Sequence, residues 1–449
     1  MATLTLALDF GTSGLKGALF SGSTIVDNAQ VQYPTHDHTQ RPQDWLEALR
    51  QVAAALPGYE TISVTGQMQD LICIDSNGEV LGAARLYSDT SATSAAARLH
   101  ALVPDWEQIT GNEQSATSNA AMFVDSHPEH TAHLLFGPSG FIAHALGLGY
   151  HVDSTTASTT GLLDLRRRTW SEKIVHAAGI DMELLPMLSD GLLGTVTPND
   201  YGIKTGVSFF LAPGDAATTT LGIIGDEPGR GYIYLGTSGW YAEICEERPQ
   251  WPGAFHLLAL PGGKNLAIAA LLSATGTADW ARVAFLGGAT HGAAEELLST
   301  RPRGWSGISS IPSLHGERFP VRADTAGVAL TGMRSTHVPA DLYKAVLEGV
   351  ALSLSHALSN HTTASTATLP VVGGGANSQQ WLQILADVTG RTIVAPTQVD
   401  ASLLGAARVL AESQSHIIKP DPRAVASYAT ARAAQLRLFS AVADSTPGL

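Results

Sequence analysis

The segment Leu4–Phe20, LTLALDFGTSGLKGALF, decides how the rest of the chain is read. An apolar run rich in β-formers leads to Asp9, and a small-residue turn follows at Gly11-Thr12-Ser13-Gly14. After Lys16 the chain is apolar again. The pattern is that of a strand, a tight hairpin and a second strand. Small residues at the tip let backbone N–H groups approach an anion, phosphate above all. Asp9 stands where a carboxylate holds a cation beside that anion, and hydrated Mg²⁺ on one or two carboxylates is the usual way of binding Mg-nucleotide. The same residues also suit an ordinary buried hairpin with a solvated aspartate.

Working outward, Gly231–Glu243, GYIYLGTSGWYAE, repeats the pattern around Gly236-Thr237-Ser238-Gly239. Two copies of the turn imply two related halves, each offering a phosphate-binding hairpin, as in the actin-like ATPase architecture. An acidic turn, Leu211-Ala212-Pro213-Gly214-Asp215-Ala216-Ala217, precedes the second copy. A third glycine cluster, Val371–Ser378 (VVGGGANS), lies between an apolar run and a helical pattern.

These segments resemble, in order, the signatures of the FGGY carbohydrate kinase family, with its xylulokinase-like members nearest. DFGTSGLKG resembles the first phosphate loop, and TGQMQD (Thr65–Asp70) the substrate loop. PGDAATTTLG (Pro213–Gly222) resembles the loop that carries the catalytic aspartate. ALTGM followed by Leu342–Leu358 resembles the long helix of the second domain, and Gly373–Ile393 the adenosine-binding signature. Together they span nearly the whole chain.

The resemblance implies an α/β protein of two actin-like ATPase (ribonuclease H-like) domains, residues 1–226 and 227–449, with a central nucleotide and sugar cleft. It implies ATP and Mg²⁺ as cofactors and phosphorylation of a sugar hydroxyl, with a ketose such as D-xylulose as acceptor. Ribulose, sedoheptulose and glycerol are alternative acceptors. A non-catalytic sugar or nucleotide sensor, or a chaperone-like or acetate-kinase-like ATPase, are alternatives on the same fold.

Phosphoryl transfer needs aligned donor and acceptor, charge neutralisation and a base at the attacking hydroxyl. Carried over residue by residue, the resemblance makes Asp215 the general base, although Asp before Ala-Ala-Thr also suits a helix N-cap. It makes Asp9 the Mg²⁺-side carboxylate. Gly11, Thr12, Ser13 and Lys16 would hold phosphate opposite Gly236 and Thr237, with plain solvent exposure the other reading of Lys16. Gly374, Gly375 and Asn377 would line the adenosine. Met68, Gln69 and Asp89 would face the sugar. The chain departs from the family pattern at several places. Gln69 stands where His is common, and the tryptophan and arginine that flank the Asp89 position are missing. No lysine occupies the segment around Gly137–Phe141, and Ala326 replaces an arginine. Gln offers a donor and an acceptor but no charge, so these changes bear on which sugar is bound.

Composition is consistent with this reading. A net charge of −14, from 26 basic against 40 acidic residues, argues against a nucleic-acid face. The two cysteines, Cys73 and Cys245, form neither a metal spacing nor a disulfide framework, and Cys73 reads as a buried thiol. His127, His130 and His133 drift around a helix and read as surface histidines. The N-terminal residues lack a secretory pattern and the apolar runs are too short to span a bilayer, so a soluble cytoplasmic protein is expected. A homodimer is compatible with the family. Pattern predicts a helix from Pro42 to Leu56, a strand at Thr61–Thr65 and a polar segment at Asp153–Thr160 that resembles a border of the family's sugar cleft. It also predicts a break between halves near Gly225–Gly229, a helix over Ala267–Leu286, and helices at Gln380–Thr389, Ala401–Glu412 and Ala424–Ala443.

Overall fold

Apolar residues on both faces of Leu4–Phe10 require a strand covered on both sides. Leu6, Ala7, Leu8 and Phe10 are fully buried in it. The structure, a computed structural model, describes residues 4–126, 128–358, 368–396, 400–410 and 415–445. The strand Leu4–Phe10 lies at the centre of a six-stranded sheet. Gly14–Ser21 pairs with it antiparallel, with Asp9 opposite Lys16. Thr61–Gly66 pairs with it parallel, and Ser208–Leu211 continues the parallel order. The edge strand Thr24–Gln32 is largely exposed and polar, which blunts a free edge. Helix Pro42–Ala55 buries Trp45, Leu49 and Val52 in the core of this unit.

The sheet of the second half repeats the order. Gly231–Leu235 takes the central place, with Gly239–Cys245 antiparallel and Thr368–Val372 parallel to it. Thr392–Pro396 and the antiparallel edge strand Ser415–Ile418 follow on one side, and Asn265–Leu271 lies beyond Gly239–Cys245 on the other. A three-strand meander extended by parallel crossovers, twice in one chain, is the two-domain actin-like ATPase fold with ribonuclease H-like halves. By contacts the chain divides into Met1–Gly225 with Leu257–Asn265 and Asp400–Ala411, and Asp226–His256 with Leu266–Val399 and Glu412–Leu449.

Two glycines decide how helix Asp215–Ile224 packs in the first unit. A Cβ on Gly222 would strike the carbonyl oxygen of Ala401, and one on Gly405 would strike that of Thr218. The helix therefore meets the short helix Ala401–Ala406 backbone to backbone, and neither position has room for a methyl group.

Three expectations change. Ala267–Leu286 is not one helix but the strand Asn265–Leu271 followed by helix Thr275–Leu286. A small apolar run has no decisive period, and pairing in the sheet settles it. Asp153–Thr160 contains a short helix, Ser154–Thr159, capped by Asp153. The helix expected over Ala401–Glu412 stops at Ala406, and Glu412 lies outside the described residues. The other predicted helices appear, among them Pro339–Leu358 and Gln379–Thr389. Cys73 is buried as expected. His130 is exposed, and His133 stacks on Tyr150 at 3.7 Å. His127 lies outside the described residues. Among the described residues no group of three or more His, Cys, Asp or Glu is placed to hold a metal ion, and no helix is long and apolar enough to cross a membrane.

Candidate active site

The first hairpin is built to keep its tip in place. Gly11 N donates to Gly14 O at 3.0 Å, and Tyr33 Oη donates to Gly11 O at 2.6 Å. Thr12 O accepts from Thr35 Oγ1 at 2.8 Å and from Gln40 Nε2 at 2.6 Å. Gly14 has no alternative, because a Cβ there would lie 2.5 Å from Val31 O. Two further contacts tie the tip to neighbouring loops, one through Gln40 to the TGQMQD loop and one to Tyr87. Gln67 Nε2 donates to Gln40 Oε1 at 2.9 Å, and Tyr87 Oη lies 3.1 Å from Thr12 Oγ1.

Asp9 ends the central strand. Its Oδ2 accepts a short hydrogen bond from Ser402, whose hydroxyl also lies 3.1 Å from Asp400 Oδ1. Lys16 does not point freely into solvent: its Nζ pairs with Asp400 Oδ2 at 2.9 Å. Burial raises the pKa of Asp9. The Ser402 hydrogen bond opposes that rise and the charge of Asp400 adds to it.

Asp215 is the first residue of its helix and not the cap. Gly214 occupies the N-cap position, and the Asp215 carboxylate accepts from Ala216 N at 2.7 Å. Burial pushes its pKa up to about 7, with the charges of Asp9 and Asp153 adding to the effect. The loop before it is fixed from two sides. Thr65 Oγ1 donates to Pro213 O at 2.7 Å, and Gly214 N donates to Asp153 Oδ1 at 3.0 Å. Asp153 also accepts from Thr156 N at 2.9 Å, and burial pushes its pKa up to about 6. Met68 packs directly on Gly214, where a Cβ would strike its thioether.

This double duty of Asp153 gives a prediction. Asp153→Ala removes a helix cap and leaves the Gly214 N–H buried without an acceptor, so it should cost about 2–4 kcal/mol of stability. Asp153→Asn keeps an acceptor oxygen and should cost far less. Urea unfolding followed by circular dichroism checks this, and equal losses in both variants would contradict the hydrogen-bonding account.

Of the residues expected to face a sugar, Gln69 adopts a left-handed backbone at φ 69°. Its Nε2 donates to Thr117 O at 2.7 Å. Asp89 is engaged on both oxygens: Oδ1 accepts from Ser91 N and Oδ2 from Arg85 Nε, each at 2.9 Å. Burial would raise its pKa, but the hydrogen bonds from Ser91 and Arg85 outweigh that and hold it below the usual value. Arg85 thus supplies from four residues upstream a guanidinium that the family pattern places downstream.

The loops of the second unit are equally well made. Gly236 N donates to Ser238 O at 2.9 Å, while Gly236 O and Thr237 O accept from Thr275 N and Ala274 N at 2.9 and 2.7 Å. Gly373, at φ 95°, passes so close to Leu235 that a Cβ would lie 2.5 Å from its carbonyl oxygen. Gly374, Gly375 and Asn377 border a cavity of about 420 Å³ that Tyr343 and Trp381 also line. That volume is in the range of small-ligand sites. Glu295 anchors its floor by accepting from Ser378 Oγ, and from Gln380 N at 3.1 Å.

Sequence reading did not single out four residues that the first unit brings to this place: Asp70, Asp153, Asp400 and Ser402. Asp70 is fully buried and accepts from Tyr87 N at 3.3 Å, and burial holds its pKa well above the carboxylate range. A capping pattern, Asp before Ser-Thr-Thr, was the available signal for Asp153. Nothing local distinguishes Ser402. Around Asp215, buried Asp9 Oδ1, Gln67 Oε1, Asp70 Oδ2, Asp153 Oδ2 and Thr156 Oγ1 have no hydrogen-bond partner. Buried polar atoms are normally paired, so such a cluster marks a place completed by something else. Four of the five are carboxyl or amide oxygens, and each accepts a hydrogen bond where the group is an amide or an ionised carboxylate. A hard-oxygen set with one orphaned Asp9 oxygen also fits Mg²⁺ held chiefly by water and phosphate.

Comparison with known proteins agrees with this architecture. The profile of the FGGY family of carbohydrate kinases matches in both its parts, the N-terminal domain at residues 4–222 and the C-terminal domain at residues 231–412. The chain belongs to the FGGY family of carbohydrate kinases. It is 27% identical over 484 residues to a xylulose kinase of Escherichia coli (strain K12), covering 97% of this chain and 98% of that one. It is 28% identical over 450 residues to a xylulose kinase of Streptomyces rubiginosus, covering 94% and 90%. A crystal structure of xylulose kinase from Rhodospirillum rubrum shares the fold, with a TM-score of 0.87 at 22% identity over 98% of this chain and 99% of that one. The protein is therefore a carbohydrate kinase of xylulokinase-like type, an enzyme class that uses ATP as phosphoryl donor.

Proposed function

We propose that the protein transfers the γ-phosphoryl group of ATP to a hydroxyl of a ketose, D-xylulose foremost, with Asp215 as general base. The observation that supports this reading is the set of orphaned acceptor oxygens around Asp215. A polyol brings hydroxyl donors, which is what those oxygens lack. The substrate hydroxyl gives its proton to the Asp215 carboxylate while its oxygen attacks the γ-phosphorus. The new O–P bond forms as the bond to the bridging oxygen breaks, and ADP departs. A base with a pKa near 7 is matched to this task at neutral pH.

Asp9 is assigned to the Mg²⁺ side of the nucleotide, held in orientation by Ser402. The cation, when bound, would neutralise phosphate charge. Gly11, Thr12, Ser13 and Lys16, with Gly236 and Thr237, are assigned to the phosphates. Gly374, Gly375 and Asn377 are assigned to adenosine, for which the cavity they border has room. Met68 and Gln69 are assigned to the sugar. Gln69 Nε2 is engaged with Thr117, so its amide oxygen is what it offers a hydroxyl. Asp89 enters the sugar site together with its Arg85 partner.

The test is ADP release from Mg-ATP with D-xylulose, D-ribulose, sedoheptulose and glycerol. We expect turnover with D-xylulose to exceed the others by at least about tenfold, because a mismatched hydroxyl leaves buried acceptors unpaired. Faster turnover with another acceptor would replace the substrate assignment. ADP release indifferent to every acceptor would remove the sugar-kinase mechanism.

A further inference from the structure

Thr12, at the tip of the first hairpin, carries a hydroxyl whose hydrogen-bonding capacity is only partly used. Its backbone oxygen is occupied by Thr35 Oγ1 and Gln40 Nε2. Its side-chain Oγ1 meets one group among the described residues, the phenolic Oη of Tyr87 at 3.1 Å. A hydroxyl has one proton to give and lone pairs to receive. A phenol is a better donor than an aliphatic alcohol, so Tyr87 Oη donates and Thr12 Oγ1 accepts. The Thr12 proton then has no acceptor among the described residues, and Thr12 is only half-buried. Hydrogen bonds in series polarise one another, so the bond from Tyr87 makes Thr12 the stronger donor.

Tyr87 is held in place for this from its backbone. It lies in the turn 86–89, closed by Asp89 N donating to Leu86 O at 2.9 Å. Leu86 N donates to His38 O at 2.9 Å, and Ser88 Oγ lies 3.0 Å from His38 Nδ1. Tyr87 N donates to Oδ1 of Asp70 at 3.3 Å, and Asp70 is fully buried. Tyr87 itself is 41% exposed, so these anchors and the contact with Thr12 set its orientation more than packing does. The same turn carries Asp89 with its Arg85 partner. A single residue thus joins the turn assigned to the sugar to the hairpin assigned to phosphate.

We propose that Tyr87 is a positioning residue for phosphoryl transfer: it fills the acceptor side of the Thr12 hydroxyl and leaves the Thr12 proton for a phosphate oxygen of the nucleotide. The inference rests on the assignment of Thr12 to the phosphates. It does not depend on which sugar is phosphorylated or on the role of Asp215.

Isothermal titration calorimetry on the full chain tests it, with the non-hydrolysable ATP analogue adenylyl imidodiphosphate, Mg²⁺ and no sugar. Thr12→Val keeps the shape and loses the hydroxyl, and its affinity should fall at least about tenfold, as for loss of a hydrogen bond to a charged group. Tyr87→Phe loses only Oη, and its affinity should fall about three- to tenfold, as for loss of a neutral hydrogen bond. In the Thr12→Val background Tyr87→Phe should change nothing, because the two hydroxyls act in series. Adenosine, which carries no phosphate, should bind all four proteins equally, and the melting temperature of Tyr87→Phe should match the wild type. Unchanged binding of the analogue to Thr12→Val would remove Thr12 from the phosphates, and this inference with it. Weakened binding to Thr12→Val with either no effect of Tyr87→Phe or additive effects would overturn the inference alone and leave the phosphate assignment standing. So would equally weakened adenosine binding in Tyr87→Phe, or a lowered melting temperature that accounts for its loss of affinity.

Discussion

Asp215→Asn is expected to lower kcat by at least about a hundredfold while leaving the fold intact, the lower end for loss of a general base. The amide preserves shape and still accepts from Ala216 N, so the helix start is unchanged. It cannot take a proton. The wild-type base works only when ionised, and its pKa lies near 7. The activity of the wild type should therefore fall as pH drops below about 7, and the residual activity of the variant should lack that step. Stability moves the other way. The folded pKa of Asp215 is raised above the ordinary 3.8, so the folded state binds the proton more tightly than the unfolded chain. Asp215 thus makes folding less favourable as pH rises from about 4 to 7, and above that the cost is complete. The Asn variant escapes this cost and should melt at the same or a higher temperature at pH 8. Steady-state kinetics against pH, paired with thermal melts, checks both halves. Near-normal turnover, or a lowered melting temperature that accounts for the lost activity, would reject the assignment.

Asp9→Asn should be comparably severe, about a hundredfold or more in kcat, the scale of removing one preorganised electrostatic group. Its carboxylate is held on Oδ2 by Ser402, while Oδ1 is buried with no partner. An amide oxygen can still accept from Ser402, so orientation survives and charge does not. The variant should accordingly need a higher Mg²⁺ concentration for half-maximal turnover, whereas a purely structural role would lower stability and leave the Mg²⁺ dependence alone. Titration of turnover with Mg²⁺ at fixed ATP distinguishes the two. Unchanged Mg²⁺ dependence at reduced kcat would move Asp9 from the cation to a different role.

Much of the fold was legible because its signals are local. An apolar run, a small-residue turn and a second run define a hairpin within seventeen residues, and the repeat at Gly231–Glu243 declares the duplication. Ala267–Leu286 reads as helix in sequence because its small apolar residues carry no decisive period, and only pairing beside Gly239–Cys245 makes Asn265–Leu271 a strand. In sequence Lys16 reads as a phosphate contact or a solvent-exposed end, and neither reading sees Asp400, which follows it by 384 residues. Asp89 looked short of an arginine because the expected position is downstream, whereas Arg85 reaches it from the preceding strand.

By itself the sequence determined the duplicated α/β halves and the loops that carry Asp9, Asp215 and the third glycine cluster. Propensity, turn chemistry and spacing act over a few residues, and the resemblance to the FGGY family is carried by such short stretches. Only the tertiary structure decided the environment of those loops. It brings Ser402 to Asp9 across 393 residues and Asp153 to Gly214 across 61, and it desolvates the half-buried Asp215 so that its pKa rises to about 7. Desolvation and charge coupling depend on everything packed around a group, and no local run of residues encodes that.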